Sequence, residues 1–209
     1  MRVIKPSVEV SWMESGSSML KRIEAAGRTA YKSENKISAT SAIKFIKMII
    51  KQNHLSVLEH VSVSARVVCD RGVSHEIVRH RIASYTQEST RYCNYSKELF
   101  GNELVFVFPS FLDGKLNKNP LLLLWERAMQ EAERAYLGMV KLGTSPQDAR
   151  SVLPNSLKTE IVMTMNLREW RHFFGLRTSP SAHPDMQVIA KKLLVEFQSH
   201  VPFVFEDII

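Results

Sequence analysis

Cysteine is nearly absent from this 209-residue chain: Cys69 and Cys93 are the only two. They form no CxxC pair and cannot build a disulfide framework. A reducing cytoplasm is therefore the expected setting, and the sequon Asn94-Tyr95-Ser96 is expected to be idle. No apolar run approaches the roughly 20 residues that span a bilayer. The opening MRVIKPSVEV has no apolar h-region, so neither a membrane nor a secretory leader is expected. No internal repeat and no low-complexity segment interrupts the chain. Neither GxGxxG nor GxxxxGK followed by Ser or Thr occurs, which removes the Rossmann fingerprint and the P-loop as sources of phosphate binding.

What is present is ordinary for a soluble globular protein: 44% hydrophobic and 23% charged residues. The length suits one domain spanning 1–209 with a sizeable core. Lys and Arg outnumber Asp and Glu by 28 to 21, a net charge of +7. The basic residues form no dense run and match no nucleic-acid motif. Small anions such as nucleotides, rather than nucleic acid, are the expected partners. A basic surface that only confers solubility is the plainer alternative.

Periodicity predicts a strand over Val3–Val10 and a helix capped by Ser17 or Ser18 and running to about Lys32. A second helix starts at Thr40 or Ser41 with Ile43, Ile46 and Ile50 inward. Val61–Cys69 alternates and is β-branched, hence a strand. Asp70 caps a helix through about Arg81, with Val73 and Ile77 buried. A short strand follows at Val105–Phe108, then a loop at Gly114–Pro120 and a long helix from Pro120 to Leu142, ended by Gly143. Ser145-Pro146 starts a short helix that Pro154 stops. Leu157–Met165 reads as a strand, Leu167–Leu176 and Pro184–Ser199 as helices. The expected fold is α+β, a single domain with a central, mostly antiparallel sheet and long flanking helices.

The run RHRIASYTQESTRYCNY, Arg79 to Tyr95, is the densest in chemistry. Guanidiniums beside short hydroxyls and amides suit a phosphate or a pyrimidine edge. On a helix, Glu76, Arg79 and His80 would share a face. The plainer reading is a solvated helix end, where cations are favoured.

The spacing Arg79-His80-Arg81-x7-Ser89, followed by Thr90-Arg91-Tyr92, resembles the signature of the flavin-dependent thymidylate synthases, the ThyX family. The resemblance extends to His54-Leu-Ser56-Val-Leu-Glu59-His60, to Ala149-Arg150-Ser-Val-Leu-Pro154, and to Asn166-Leu-Arg168 with His172-Phe-Phe-Gly-Leu-Arg177. It implies an enzyme, a methyltransferase that converts dUMP to dTMP. Methylenetetrahydrofolate would give the carbon, FAD the redox chemistry, and NADPH the reducing equivalents. It implies flavin contacts by His54, Ser56, Arg79, His80, Arg81, Gln87, Asn166, Arg168 and His172. Glu76, Arg79, Gln87, Glu88, Ser89, Thr90, Arg91 and Arg150 would hold the nucleotide. Arg177 would face the uracil ring and act in catalysis. The family resemblance further implies a homotetramer whose active sites are shared between subunits.

Other readings stand beside it. His172 also suits a packed core position, and Arg150 a helix-end charge. His54, Glu59 and His60 fit neither HExxH nor HxxEH, so no metal is expected. Cys93 reads as a small packed side chain rather than a nucleophile. Phe106, Phe108 and Phe111 read as core. After Arg177 the family pattern is broken by His183 and Asp185. The same chemistry on UMP, and a noncatalytic nucleotide- or RNA-binding module, are the alternative functions.

Overall fold

The computed structural model describes residues 1–114 and 119–208. In chain order its elements are β1 (Arg2–Ile4), β2 (Ser7–Ser11), α1 (Gly16–Thr29), α2 (Ser41–Lys51), β3 (Ser62–Asp70), α3 (Arg71–Ile77) and β4 (Ser84–Gln87). Then come β5 (Val105–Val107), α4 (Pro120–Lys141), α5 (Pro146–Ala149), β6 (Lys158–Asn166), α6 (Leu167–Arg177), α7 (Pro184–His200) and α8 (Pro202–Phe205). The fold is α+β. Strands β2-β3-β6-β4 form an antiparallel sheet in that order, and β1 pairs with β5 in parallel. No described helix is long and apolar enough to cross a membrane.

Contacts divide the chain into two compact units. The first holds Met1–Ser7, Val67–Arg79 and Thr86–Ile161; the second holds Val8–Arg66, His80–Tyr85 and Val162–Ile209. Strands β3 and β6 run from one into the other.

In the first unit, Tyr95, Leu104, Phe106, Met129, Tyr136 and Leu157 form the buried cluster. Helix α4 starts where Asn119 accepts a hydrogen bond from the Leu121 amide at 3.0 Å, with Pro120 in the first turn. It ends before Gly143, whose φ of +95° suits a residue without Cβ. The expected loop at Gly114–Pro120 falls largely on residues 115–118, outside the described residues. Of the three phenylalanines expected in the core, Phe106 is buried, Phe108 half-buried and Phe111 exposed.

The second unit is built on aromatic packing. Trp170, Phe173, Phe174, Phe197 and Phe205 are all fully buried and meet edge-to-face, tilted or, for Trp170 and Phe174, stacked, at centroid distances of 4.6–5.6 Å. The Trp170 indole donates to the Val63 carbonyl at 3.1 Å, tying α6 to β3.

Four expectations need correction. The single strand expected over Val3–Val10 is two, β1 and β2, in different sheets; Pro6 lies between them and has no amide to continue a ladder. Helix α1 is capped by Ser15, whose hydroxyl accepts from the Ser18 amide at 3.2 Å, rather than by Ser17 or Ser18. Helix α2 buries Ala42, Phe45, Ile46 and Ile49, and turns Ile43 to solvent, because Phe45 brings the larger apolar area to its inner face. Helix α3, capped by Asp70 as expected, stops at Ile77, so Arg79–Arg81 are not helical. His80 is buried while its two arginine neighbours are exposed, an in-and-out alternation that a helix does not give.

Candidate active site

In the second unit a cleft of about 610 Å³ is lined by Leu55, Glu59, Ile82, Asn166, Arg168 and His172, among others. Helix α6 supplies its polar wall. The Asn166 side chain caps that helix, accepting from the Glu169 amide at 2.8 Å. Arg168 and His172, one turn apart, are both exposed there. Arg168 donates to the exposed Glu59 carboxylate at 2.6 Å. His54 and Ser56 are exposed at the start of the turn Leu55–His60, whose Leu55 and Glu59 reach the cleft. Arg81 is exposed beside Ile82.

The same helix ends in a buried polar chain. The Arg177 Nε donates to His80 Nε2 at 3.0 Å, and His80 Nδ1 lies 3.2 Å from a Glu169 carboxylate oxygen. His80 is 4% exposed and Glu169 7%. His172 meets the His80 ring at 5.6 Å and Phe173 meets it at 4.9 Å. Tyr85 donates to the His80 carbonyl at 2.6 Å, and burial pushes its phenol up to about 12, so it stays a donor. Burial lowers the His80 pKa, against the opposing pull of its bond to Glu169, and the ring is neutral at neutral pH. Ligand atoms of His80, Glu169 and His172 lie within 4.8 Å of one another. A guanidinium already bonded to His80 opposes a cation among them.

The residues expected to hold the nucleotide lie in the first unit. Gln87, on β4, donates to Ser74 at 2.9 Å and to Thr159 at 3.1 Å, so its amide nitrogen is engaged by protein. The Glu88 carboxylate receives the Tyr95 hydroxyl and the Lys158 ammonium, each at 2.9 Å. Burial pulls the Lys158 pKa down, but bonds to Glu160 and Glu88 outweigh it and hold it above the usual lysine value. Ser89 accepts from the Arg91 amide at 3.2 Å, which folds the backbone into a local turn. Thr90 is buried, and Glu76 is half-buried. The Arg91 guanidinium is exposed and bonds Gln147 at 3.1 Å; Arg79 and Arg150 are exposed.

Both thiols are poor nucleophiles. Burial pushes Cys69 up to about 12 and raises Cys93 as well, so neither is a thiolate at neutral pH.

Sequence reasoning missed Glu169, Tyr85 and Lys158. A signal for Glu169 existed, since Asn166-Leu-Arg-Glu169 has capping-box spacing. The structure makes half of that box: the asparagine caps the helix, while the glutamate turns to His80 instead.

The Thymidylate synthase complementing protein family model matches residues 13–203. The flavin-dependent thymidylate synthase of Pyrococcus furiosus is 37% identical across 81% of this chain and 68% of its own length. That of Geobacter sulfurreducens is 37% identical across 82% and 72%. One from a Mycobacterium species is 33% identical across 95% and 84%. The structure of the UMP/dUMP methylase PolB from Streptomyces cacaoi, bound with 5-Br dUMP, superposes with a TM-score of 0.80 over 99% of this chain and 96% of that one. At 22% identity that likeness establishes a shared fold. The chain belongs to the Thymidylate synthase complementing protein family, the family of the flavin-dependent thymidylate synthases.

Proposed function

We propose that this protein is a flavin-dependent thymidylate synthase that methylates dUMP at C5 to dTMP, with methylenetetrahydrofolate as carbon donor and NADPH as reductant. One observation carries the reading beyond family membership. A single helix, α6, brings Arg168 and His172 to a cleft and ends in a guanidinium, Arg177, held by a buried histidine.

The cleft fits a flavin in its donor set. Leu55 and Ile82 offer apolar contact for a planar ring, and Arg168 and His172 offer polar edges. Asn166, with its oxygen on the helix cap, has its amide nitrogen for that role. His54, Ser56, Arg79, His80, Arg81 and Gln87 complete the proposed flavin set. His80 acts through its neighbours, since both ring nitrogens are engaged. FAD, when bound and reduced, supplies the hydride.

The chain's own residues then bind and polarise. Glu76, Arg79, Gln87, Glu88, Ser89, Thr90, Arg91 and Arg150 form the proposed nucleotide set, with the exposed guanidiniums of Arg91 and Arg150 as phosphate forks. Arg177 stabilises negative charge on the uracil N3–carbonyl edge, which makes C5 nucleophilic without a protein adduct. Homotetramers with shared sites suit a chain whose Leu121, Leu123 and Leu124 are half or more exposed on α4. A cytoplasmic setting suits its two free thiols.

Purified protein is expected to be yellow, with flavin absorbance, and to release tritium from 5-tritiated dUMP in the presence of NADPH and methylenetetrahydrofolate. A colourless protein that does not take up FAD overturns the reading and favours a binding module. Turnover on UMP exceeding that on dUMP reassigns the substrate. Cys93→Ala is expected to keep full activity in the same assay, as a raised thiol pKa requires; a folded but inactive variant restores a cysteine mechanism.

A further inference from the structure

Arginine is a donor at every accessible pH, so the Arg177 Nε–H requires a lone pair on its partner. That partner is His80 Nε2, at 3.0 Å. A neutral imidazole with a lone pair on Nε2 carries its proton on Nδ1. His80 Nδ1 lies 3.2 Å from the Glu169 carboxylate. An ionised carboxylate is an acceptor only, so it admits one tautomer of His80 and excludes the other. The three side chains thus form a one-way chain of donors: Arg177 to His80, and His80 to Glu169.

We propose that Glu169 is a positioning residue for Arg177: its carboxylate locks His80 as the Nδ1–H tautomer, and the locked ring holds the Arg177 guanidinium plane by its Nε. This deepens the reading of Arg177 as the uracil-facing group and rests on it for the catalytic consequence. The tautomer itself stands on geometry alone. His80 is 4% and Glu169 7% exposed, so water does not compete for the bond between them. A guanidinium that recognises a planar imide must be held at a fixed angle, and a flexible arginine side chain does not hold itself.

Protonated His80 would turn a second donor, with like charge, on the Arg177 Nε–H. The Arg177–His80 bond therefore forms only while His80 is neutral. The groups facing the ring are Glu169, His172 and Arg177 from α6, with Tyr85 on its carbonyl and Phe173 against its face. Of these, Glu169 raises the His80 pKa, while Arg177 and His172 lower it together with burial. Removing the carboxylate charge therefore extends the neutral form to lower pH. A carboxamide can also donate to Nδ1, which permits the tautomer that repels Arg177.

Glu169→Gln keeps the shape and tests the charge. Its kcat on dUMP is expected to fall about 10- to 100-fold, the scale on which orienting partners act. Glu169 also lines the proposed flavin cleft, so kcat is read per bound flavin, and the acid limb of the pH–rate profile should move to lower pH. Glu169→Asp, still an acceptor, should recover part of the rate. Nitrogen-15 NMR of histidine-labelled parent protein should show His80 with its proton on Nδ1. A parent His80 protonated on Nε2 overturns the proposal, whether or not the protein turns over dUMP. So does a Glu169→Gln variant with parental rate and acid limb. A parent protein without flavin or turnover instead removes the functional reading, while the NMR result still decides the tautomer.

Discussion

Arg177→Ala should lower turnover of dUMP by about 100- to 1000-fold, the usual loss when one preorganised donor to developing charge is removed. Flavin content, read from absorbance after purification, should stay close to the parent's. The two readouts separate because Arg177 does not line the cleft that Arg168 and His172 share. Arg177 is instead fixed from within, by its Nε on His80. Arg177→Lys should be nearly as damaging. An ammonium keeps the charge but has neither the Nε donor nor the planar fork. Equal loss of flavin and turnover in Arg177→Ala would place the residue at the cofactor and not at the uracil.

Trp170→Ala should destabilise the protein by about 3–5 kcal/mol, the range for deleting a buried aromatic. Trp170 is fully buried and meets Phe173, Phe174 and Phe197 at 4.6–5.5 Å. Its indole also satisfies the Val63 carbonyl at 3.1 Å, and that acceptor would lose its partner. The loss would fall on α6, the helix that carries Arg168, Glu169, His172 and Arg177. Thermal or denaturant unfolding at fixed protein concentration measures it, since assembly shifts apparent stability by mass action. A loss under about 1 kcal/mol would mean that the aromatic cluster is not the core that holds α6.

The elements written in local chemistry were legible. Asp70 before an amphipathic run, Pro120 at a helix start and Gly143 at its end act within a turn of their own position, so spacing alone reveals them. The regular alternation along β3 and β6 was legible for the same reason. The end of α3 was not. Nothing near Ile77 forbids more helix; the chain leaves it because His80 finds partners on α6, 89 and 97 residues further on. The inward face of α2 was missed similarly, since Ile43 and Phe45 compete for the interior and only the packing against α1 and α8 decides between them.

The sequence by itself determined the family, the α+β class, and the residue types that bind anions. Motif spacing and periodicity are properties of the chain alone. Only the tertiary structure decided which of those residues are exposed and which are buried against a partner residue. Burial turned His80 from a cation in a basic run into a neutral link, and turned Glu169 from half a capping box into the carboxylate that orients it. Protonation and hydrogen-bond direction depend on desolvation and on partners distant in sequence, and no local pattern encodes either.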